Sequence, residues 1–65
     1  MLRWIANWWH ARQRAVDLEI LWPACKANAP NMAQAKMAFA VHAFRDEAWL
    51  CLGHDDIVRR IDELA

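Results

Sequence analysis

The sequence predicts an all-α protein: a long antiparallel helical hairpin followed by a short third helix. Its 65 residues are 58% apolar and include five Trp but no Tyr, one Gly and two Pro, a composition that argues against turn-rich β structure. Apolar residues recur every three or four positions along two long segments, which is the spacing of one helix face. A chain of this length forms a single domain, residues 1–65, at the small end of what folds alone.

The first helix is predicted over about residues 2–22, which contain no Gly or Pro. Its main seam steps by four and three along Trp4, Trp8, Ala11, Ala15, Leu18, Trp22 and Cys25. A second apolar series lies beside it: Leu2, Ile5, Trp9, Val16 and Ile20. The two series together cover more of the helix than one neighbouring helix can bury. Pro23 lacks an amide donor, so we expect the helix to end or kink there.

The second helix is predicted over about residues 32–52. Asn31 has the character of an N-cap, with Gln34 three positions later, and Gly53 stands where a C-terminal cap is expected. The stretch between Pro23 and Asn31 is predicted as a connection with room for one irregular turn. The regular seam of this helix is Met37, Val41, Phe44, Ala48 and Cys51.

A third helix is predicted over about residues 54–64. Asp55 and Asp56 lie near the positive end of its dipole. Its predicted buried face is Ile57, Val58, Ile61 and Leu64. We expect this helix to cover the start of the first one, at the level of Leu2, Ile5 and Trp9.

The two long seams pair in an antiparallel hairpin, with Trp22 beside Met37 and Trp8 beside Cys51. In this arrangement Cys25 lies near the turn and Cys51 near the open end. A disulfide needs the two Cα atoms within about 7 Å, so both cysteines are predicted to be small core residues.

No residue pattern in the sequence predicts a metal site or a catalytic site. The three His and two Cys lack the short spacings of a zinc site, so no metal or other cofactor is expected. The chain has no Ser, Thr or Tyr, and its paired carboxylates are adjacent, which makes them diverge on a helix. We therefore expect no enzyme and no small-molecule substrate.

The charge pattern leaves a nucleic-acid hypothesis open. Net charge is zero, yet residues 1–45 carry six basic and two acidic side chains, and residues 46–65 the reverse. A small nucleic-acid-binding regulator would use Arg3, Arg12 and Arg14, with Lys26 and Lys36 as further candidates. A membrane-surface role for the Trp-rich start is a weaker alternative, because the hairpin already uses Trp4, Trp8 and Trp22. Without an apolar run of about 20 residues or a signal sequence, a cytoplasmic protein is expected.

The surplus of apolar surface favours a non-enzymatic interaction protein, such as a small regulator, inhibitor, adaptor or assembly subunit. Proteins of this size and class are common among phage and mobile-element regulators, although no family motif is present. Exposed apolar surface of this kind marks protein interfaces, and we expect a protein partner, a second copy of the chain, or both. The predicted interface residues are Leu2, Ile5, Trp9, Val16, Ile20, Met32, Phe39, Trp49 and Leu50.

Overall fold

The computed structural model describes residues 2–65, apart from the side chain of Leu2, and these residues form helices and no strand. The predicted all-α class is therefore confirmed. Helix α1 covers residues 2–28 in three consecutive segments: Leu2–Val16, a π-helical turn at Asp17–Leu21, and Trp22–Asn28. Helices α2, α3 and α4 follow at Met32–Ala43, Glu47–Leu50 and His54–Asp62.

Helix α1 runs through Pro23, where the sequence predicted an end or a kink. The backbone stays helical at Val16, Leu21 and Trp22. In the π turn the amide of Trp22 donates to the carbonyl of Asp17, five residues earlier. A proline ring in an α-helix clashes with the carbonyl four residues before it, which here belongs to Glu19. That carbonyl lies inside the widened turn, so the turn accommodates Pro23 without ending the helix.

Pro30, the second proline, is the one that ends α1. Ala29, just before it, is extended (φ −103°, ψ 147°), as sterics before a proline require. The side-chain amide of Asn28 donates to the carbonyl of Ala24 over 2.8 Å and closes the last turn. Twenty-seven helical residues span roughly 40 Å, so α1 sets the 44 Å length of the molecule.

The predicted second helix begins where expected but breaks early. Asn31 caps α2, accepting a 2.9 Å hydrogen bond from the amide of Gln34. The chain leaves the helix after Ala43, and Asp46 caps a new one by accepting from the amide of Ala48. Asp favours such caps over helix interiors, because its carboxylate competes for backbone amides. One helix over residues 32–52 is therefore replaced by α2 and the single-turn α3.

The break brings Phe39 and Trp49 together in the core, with their rings edge to face and their centroids 5.3 Å apart. The buried apolar residues are Trp22, Ala35, Phe39, Ala43, Ala48, Trp49, Ile57 and Ile61. The predicted seam of the second helix is correct for Ala48, which is buried, and for Phe44, which packs against the core. It is wrong for Met37 and Val41, which are 66% and 55% exposed. Alanines make α2 apolar on nearly every side, and the helix buries the side that carries its large aromatic residue.

Helix α4 packs against α2 and α3 and does not cover the start of α1 as expected. Ile57 and Ile61 are buried as predicted, whereas Val58 is 49% exposed. The ammonium group of Lys36 donates to the carbonyl of Asp62 over 2.7 Å, which ties the end of α4 to α2. The first turns of α1 are consequently left without the neighbour that the sequence predicted for them.

Gly53 separates α3 from α4. Its φ of 89° lies in a region that side chains with a Cβ rarely adopt, and its ψ is 152°. The chain leaves the helix before this residue, as expected, but the C-cap of α3 is Cys51. Gly53 closes the turn that follows, its amide donating to the carbonyl of Leu50 over 3.1 Å, and is the N-cap of α4.

The shape leaves more surface than a compact chain of this mass. The accessible area is 4764 Å², against roughly 4300 Å² expected for a 7.6 kDa monomer. The Cα radius of gyration is 12.2 Å, against about 10.7 Å for a compact 65-residue domain. In residues 2–65, no helix combines the length and apolar character that crossing a bilayer demands.

Candidate functional site

An aromatic face on the first half of α1 is the most prominent exposed feature. We define it as Trp4, Ile5, Trp8, Trp9 and Arg12. The three indoles are 66%, 53% and 58% exposed, and Ile5 is half-buried between them. These positions share one side of the helix, because Trp4, Trp8 and Arg12 follow one another at steps of four, as do Ile5 and Trp9 in the adjacent row.

The aromatic face is exposed because α1 turns its other side to the rest of the chain. That other side carries His10, Arg14 and Asp17, which are half-buried or buried. At about 100° per residue, Trp8 and Arg12 lie roughly 150–170° away from it. The prediction that Trp4 and Trp8 are buried inside the hairpin was therefore wrong.

Contacts within the aromatic face hold its side chains against one another. The rings of Trp8 and Trp9 meet edge to face with centroids 5.1 Å apart. The guanidinium of Arg12 lies 5.9 Å from the centroid of the Trp8 ring, within cation–π range. These contacts already restrict the rotamers of the side chains before binding. Less conformational entropy is therefore lost when the face is buried against a partner.

The nine predicted interface residues do not form one surface. Ile5 and Trp9 lie in the aromatic face, and the side chain of Leu2 is outside the described part. Phe39 and Trp49 are 0% and 1% exposed, so they belong to the hydrophobic core and are not part of an exposed surface. The other four residues lie outside the aromatic face. Val16 is half-buried, and Ile20, Met32 and Leu50 are exposed.

The three arginines of the nucleic-acid hypothesis are dispersed. Arg14 is half-buried, and its guanidinium donates to the carbonyl of Ala48 over 2.6 Å. Arg3 and Arg12 are both exposed, yet nine residues apart they project from opposite sides of α1. The structure does not bring the three side chains onto one basic surface.

A second apolar surface lies between α2 and α4. This α2–α4 groove has a volume of about 370 Å³. Met37, Ala40, Phe44 and Val58 supply its apolar lining, and Lys36 and Asp62 are also part of the wall.

Asp17 is the only buried charged side chain among those described, at 5% exposure. One of its carboxylate oxygens, Oδ2, accepts from Nε1 of Trp49 and lies 2.8 Å from Nε2 of His42. The other, Oδ1, accepts from the amide of Gln13 over 3.1 Å. Asp46 Oδ2 lies 3.8 Å from the same His42 nitrogen. We call Asp17, His42 and Asp46 the Asp17 cluster.

Sequence reasoning missed the Asp17 cluster because its members come from separate elements. His42 and Asp17 are 25 positions apart, and only the packing of α2 on α1 joins them. The four-residue step from His42 to Asp46 was visible, but without Asp17 it is a common pair on a helix surface.

Both cysteines are free thiols. Cys25 packs against the core, as predicted, whereas Cys51 is exposed. The guanidinium of Arg14 lies 3.4 Å from the Cys51 sulfur. The predicted core position of Cys51 was wrong because the chain breaks before α3.

Comparison with known proteins returned no match among protein families, curated sequences or solved structures.

Proposed function

We propose that this chain is a non-enzymatic interaction protein that buries the aromatic face of α1 against another protein surface. The observation that carries the proposal is the exposure of Trp4, Trp8 and Trp9 on one side of one helix. Trp is enriched at the energetic centres of protein interfaces, because its large ring buries more apolar area than other side chains.

The size of the aromatic face supports this role. Its three indoles present roughly 400 Å² of exposed surface, on the basis of about 250 Å² for a whole Trp side chain. The largest apolar area on a typical monomer measures about 300–600 Å² in total and is often functional. Here three side chains alone reach that range. The chain as a whole also exposes more surface than a compact monomer of the same mass.

A second copy of the chain is the partner for which the molecule itself offers complementary surfaces. The α2–α4 groove is apolar, with the carboxylate of Asp62 and the ammonium group of Lys36 in its walls. The aromatic face is flanked by Arg12. An aromatic ridge fits an apolar groove of this kind, and Asp62 is the group in the groove wall that complements the charge of Arg12.

Light scattering over a concentration series tests the proposal. We expect the molar mass to rise with concentration, and Trp8→Ser together with Trp9→Ser to restore the monomer. Val41→Ser is the matched control, because it removes an exposed apolar side chain outside both surfaces. Met37→Asp tests the groove and should weaken association as the double Trp variant does.

A monodisperse monomer that binds no dye specific for exposed apolar surface, and captures no protein from its native cell, contradicts the proposal. Retention on DNA at low salt that Arg3→Ala and Arg12→Ala abolish would favour the nucleic-acid alternative instead. A third outcome is a pure chain that stays monomeric and captures an unrelated protein through the aromatic face. That result would support the docking role and exclude self-association.

A further inference from the structure

We propose that the Asp17 cluster binds a divalent transition-metal ion, with Zn²⁺ as the best fit. This site is separate from the aromatic face and independent of the proposed docking role. It rests on the convergence of three donor side chains: Asp17, His42 and Asp46.

The spacing of the donor atoms suits a tetrahedral ion. Ligand atoms at 2.0–2.2 Å from such an ion lie roughly 3.3–3.6 Å from one another. Nε2 of His42 is 2.8 Å from Asp17 Oδ2 and 3.8 Å from Asp46 Oδ2, which brackets that separation. All three donor atoms lie within 4.8 Å of one another, so the most distant pair has to close by about 1.5 Å at most to complete the triangle.

Neighbouring groups already orient both carboxylates and leave their remaining lone pairs available. Trp49 and Gln13 donate to the two oxygens of Asp17. The amide of Ala48 holds Asp46 through Oδ1, so that Oδ2 is the oxygen that faces His42. Hydrogen bonds of this kind to ligating carboxylates are a regular part of protein metal sites.

The cluster is open on one side, which gives an ion access. The Asp17 side chain is 7% exposed, whereas those of His42 and Asp46 are 33% and 31% exposed. An ion entering from this side would take the three protein ligands and keep water in the remaining position, as in zinc sites with three protein ligands.

The donor set selects the class of ion. Two carboxylates and one imidazole suit Zn²⁺ and its first-row neighbours. Ca²⁺ takes six to eight oxygen ligands and Mg²⁺ six, several of them water, and for both ions an imidazole nitrogen is a poor substitute for an oxygen. To coordinate the ion, Nε2 of His42 must present its lone pair, so the imidazole proton resides on Nδ1 in the bound form.

Calorimetric titration of the metal-free full chain with ZnCl₂ tests the site. We expect uptake of a single equivalent per chain. Asp46→Asn is the sharpest variant, because Asn preserves the helix cap and removes only the charged ligand oxygen. It and His42→Ala should each lower zinc affinity by at least about tenfold, the effect of losing even an outer-shell partner.

Asp55→Asn and His54→Ala are the matched controls, since both residues are exposed and lie outside the cluster. They should bind zinc like the wild type. Absence of stoichiometric uptake overturns the proposal. So does uptake that survives Asp46→Asn and His42→Ala, or uptake that Cys51→Ser removes while Asp46→Asn does not.

Discussion

The indole of Trp49 donates a 2.8 Å hydrogen bond to the carboxylate of Asp17, and both side chains are buried. The bond joins α1 to α3 across 32 positions of sequence. It gives a buried Trp the partner that its N–H requires, and it fixes which side of α1 faces the core. The opposite side of α1 is then left as the aromatic face.

The Trp49 to Asp17 hydrogen bond should contribute measurably to stability. Trp49→Phe retains most of the ring packing and removes the donor. We expect it to lower the free energy of unfolding by about 1.5–3 kcal/mol, the range for hydrogen bonds to charged groups. Urea denaturation with a chelator present measures this. When Asp17 is already replaced by Asn, Trp49→Phe should lower the free energy of unfolding by clearly less. Equal losses in both backgrounds would contradict an energetic coupling between Trp49 and Asp17.

The five tryptophans should divide into two classes of stability effect. Trp49→Ala empties a fully buried site and should lower the free energy of unfolding by about 3–5 kcal/mol. Trp8→Ala removes a side chain that is 53% exposed and that contacts Trp9 and Arg12, so we expect a loss of about 1 kcal/mol. Urea denaturation below the concentration of any self-association provides the comparison. A large loss from Trp8→Ala would mean that α1 buries the face assigned here to solvent.

A D side chain at position 53 should destabilise the protein less than an L side chain. At φ 89° and ψ 152°, an L-residue is strained, although no atom lies within 4 Å of an added Cβ. Gly53→Ala should therefore cost about 1–3 kcal/mol through backbone strain alone. At 65 residues the chain is accessible to chemical synthesis, which allows D-alanine as the control. D-alanine tolerates the positive φ that L-alanine does not, so we expect it to lose less stability; equal losses for both hands would contradict the assigned conformation.

Local chemistry made part of the fold predictable from sequence. The Asn31 cap, the Gly53 turn and the buried Ile57 and Ile61 depend on residues close in sequence, and all are confirmed. The long α1 was harder to predict, because the π turn that accommodates Pro23 has no clear local signature. The break at Asp46 was missed because the alanine-rich segment around it satisfies a continuous helical pattern.

The candidate sites were less predictable than the fold. Ile5 and Trp9 were correctly expected to lie outside the hairpin seam, yet Trp4 and Trp8 were assigned to the core. Their exposure depends on where α4 packs, and periodicity within one helix carries no information about that. The Asp17 cluster likewise depends on the register between α1 and α2, which the apolar pattern of α2 left open.

The indole N–H signals of the five tryptophans give the most direct test of the aromatic face. In two-dimensional NMR spectra of the ¹⁵N-labelled chain recorded over a dilution series, we expect the signals of Trp4, Trp8 and Trp9 to shift together with concentration. The signals of Trp22 and Trp49, whose indoles are 5% and 1% exposed, should stay fixed as internal controls. Five signals that keep their positions up to about 1 mM, where association is worth only about 4 kcal/mol, would contradict self-association through this face.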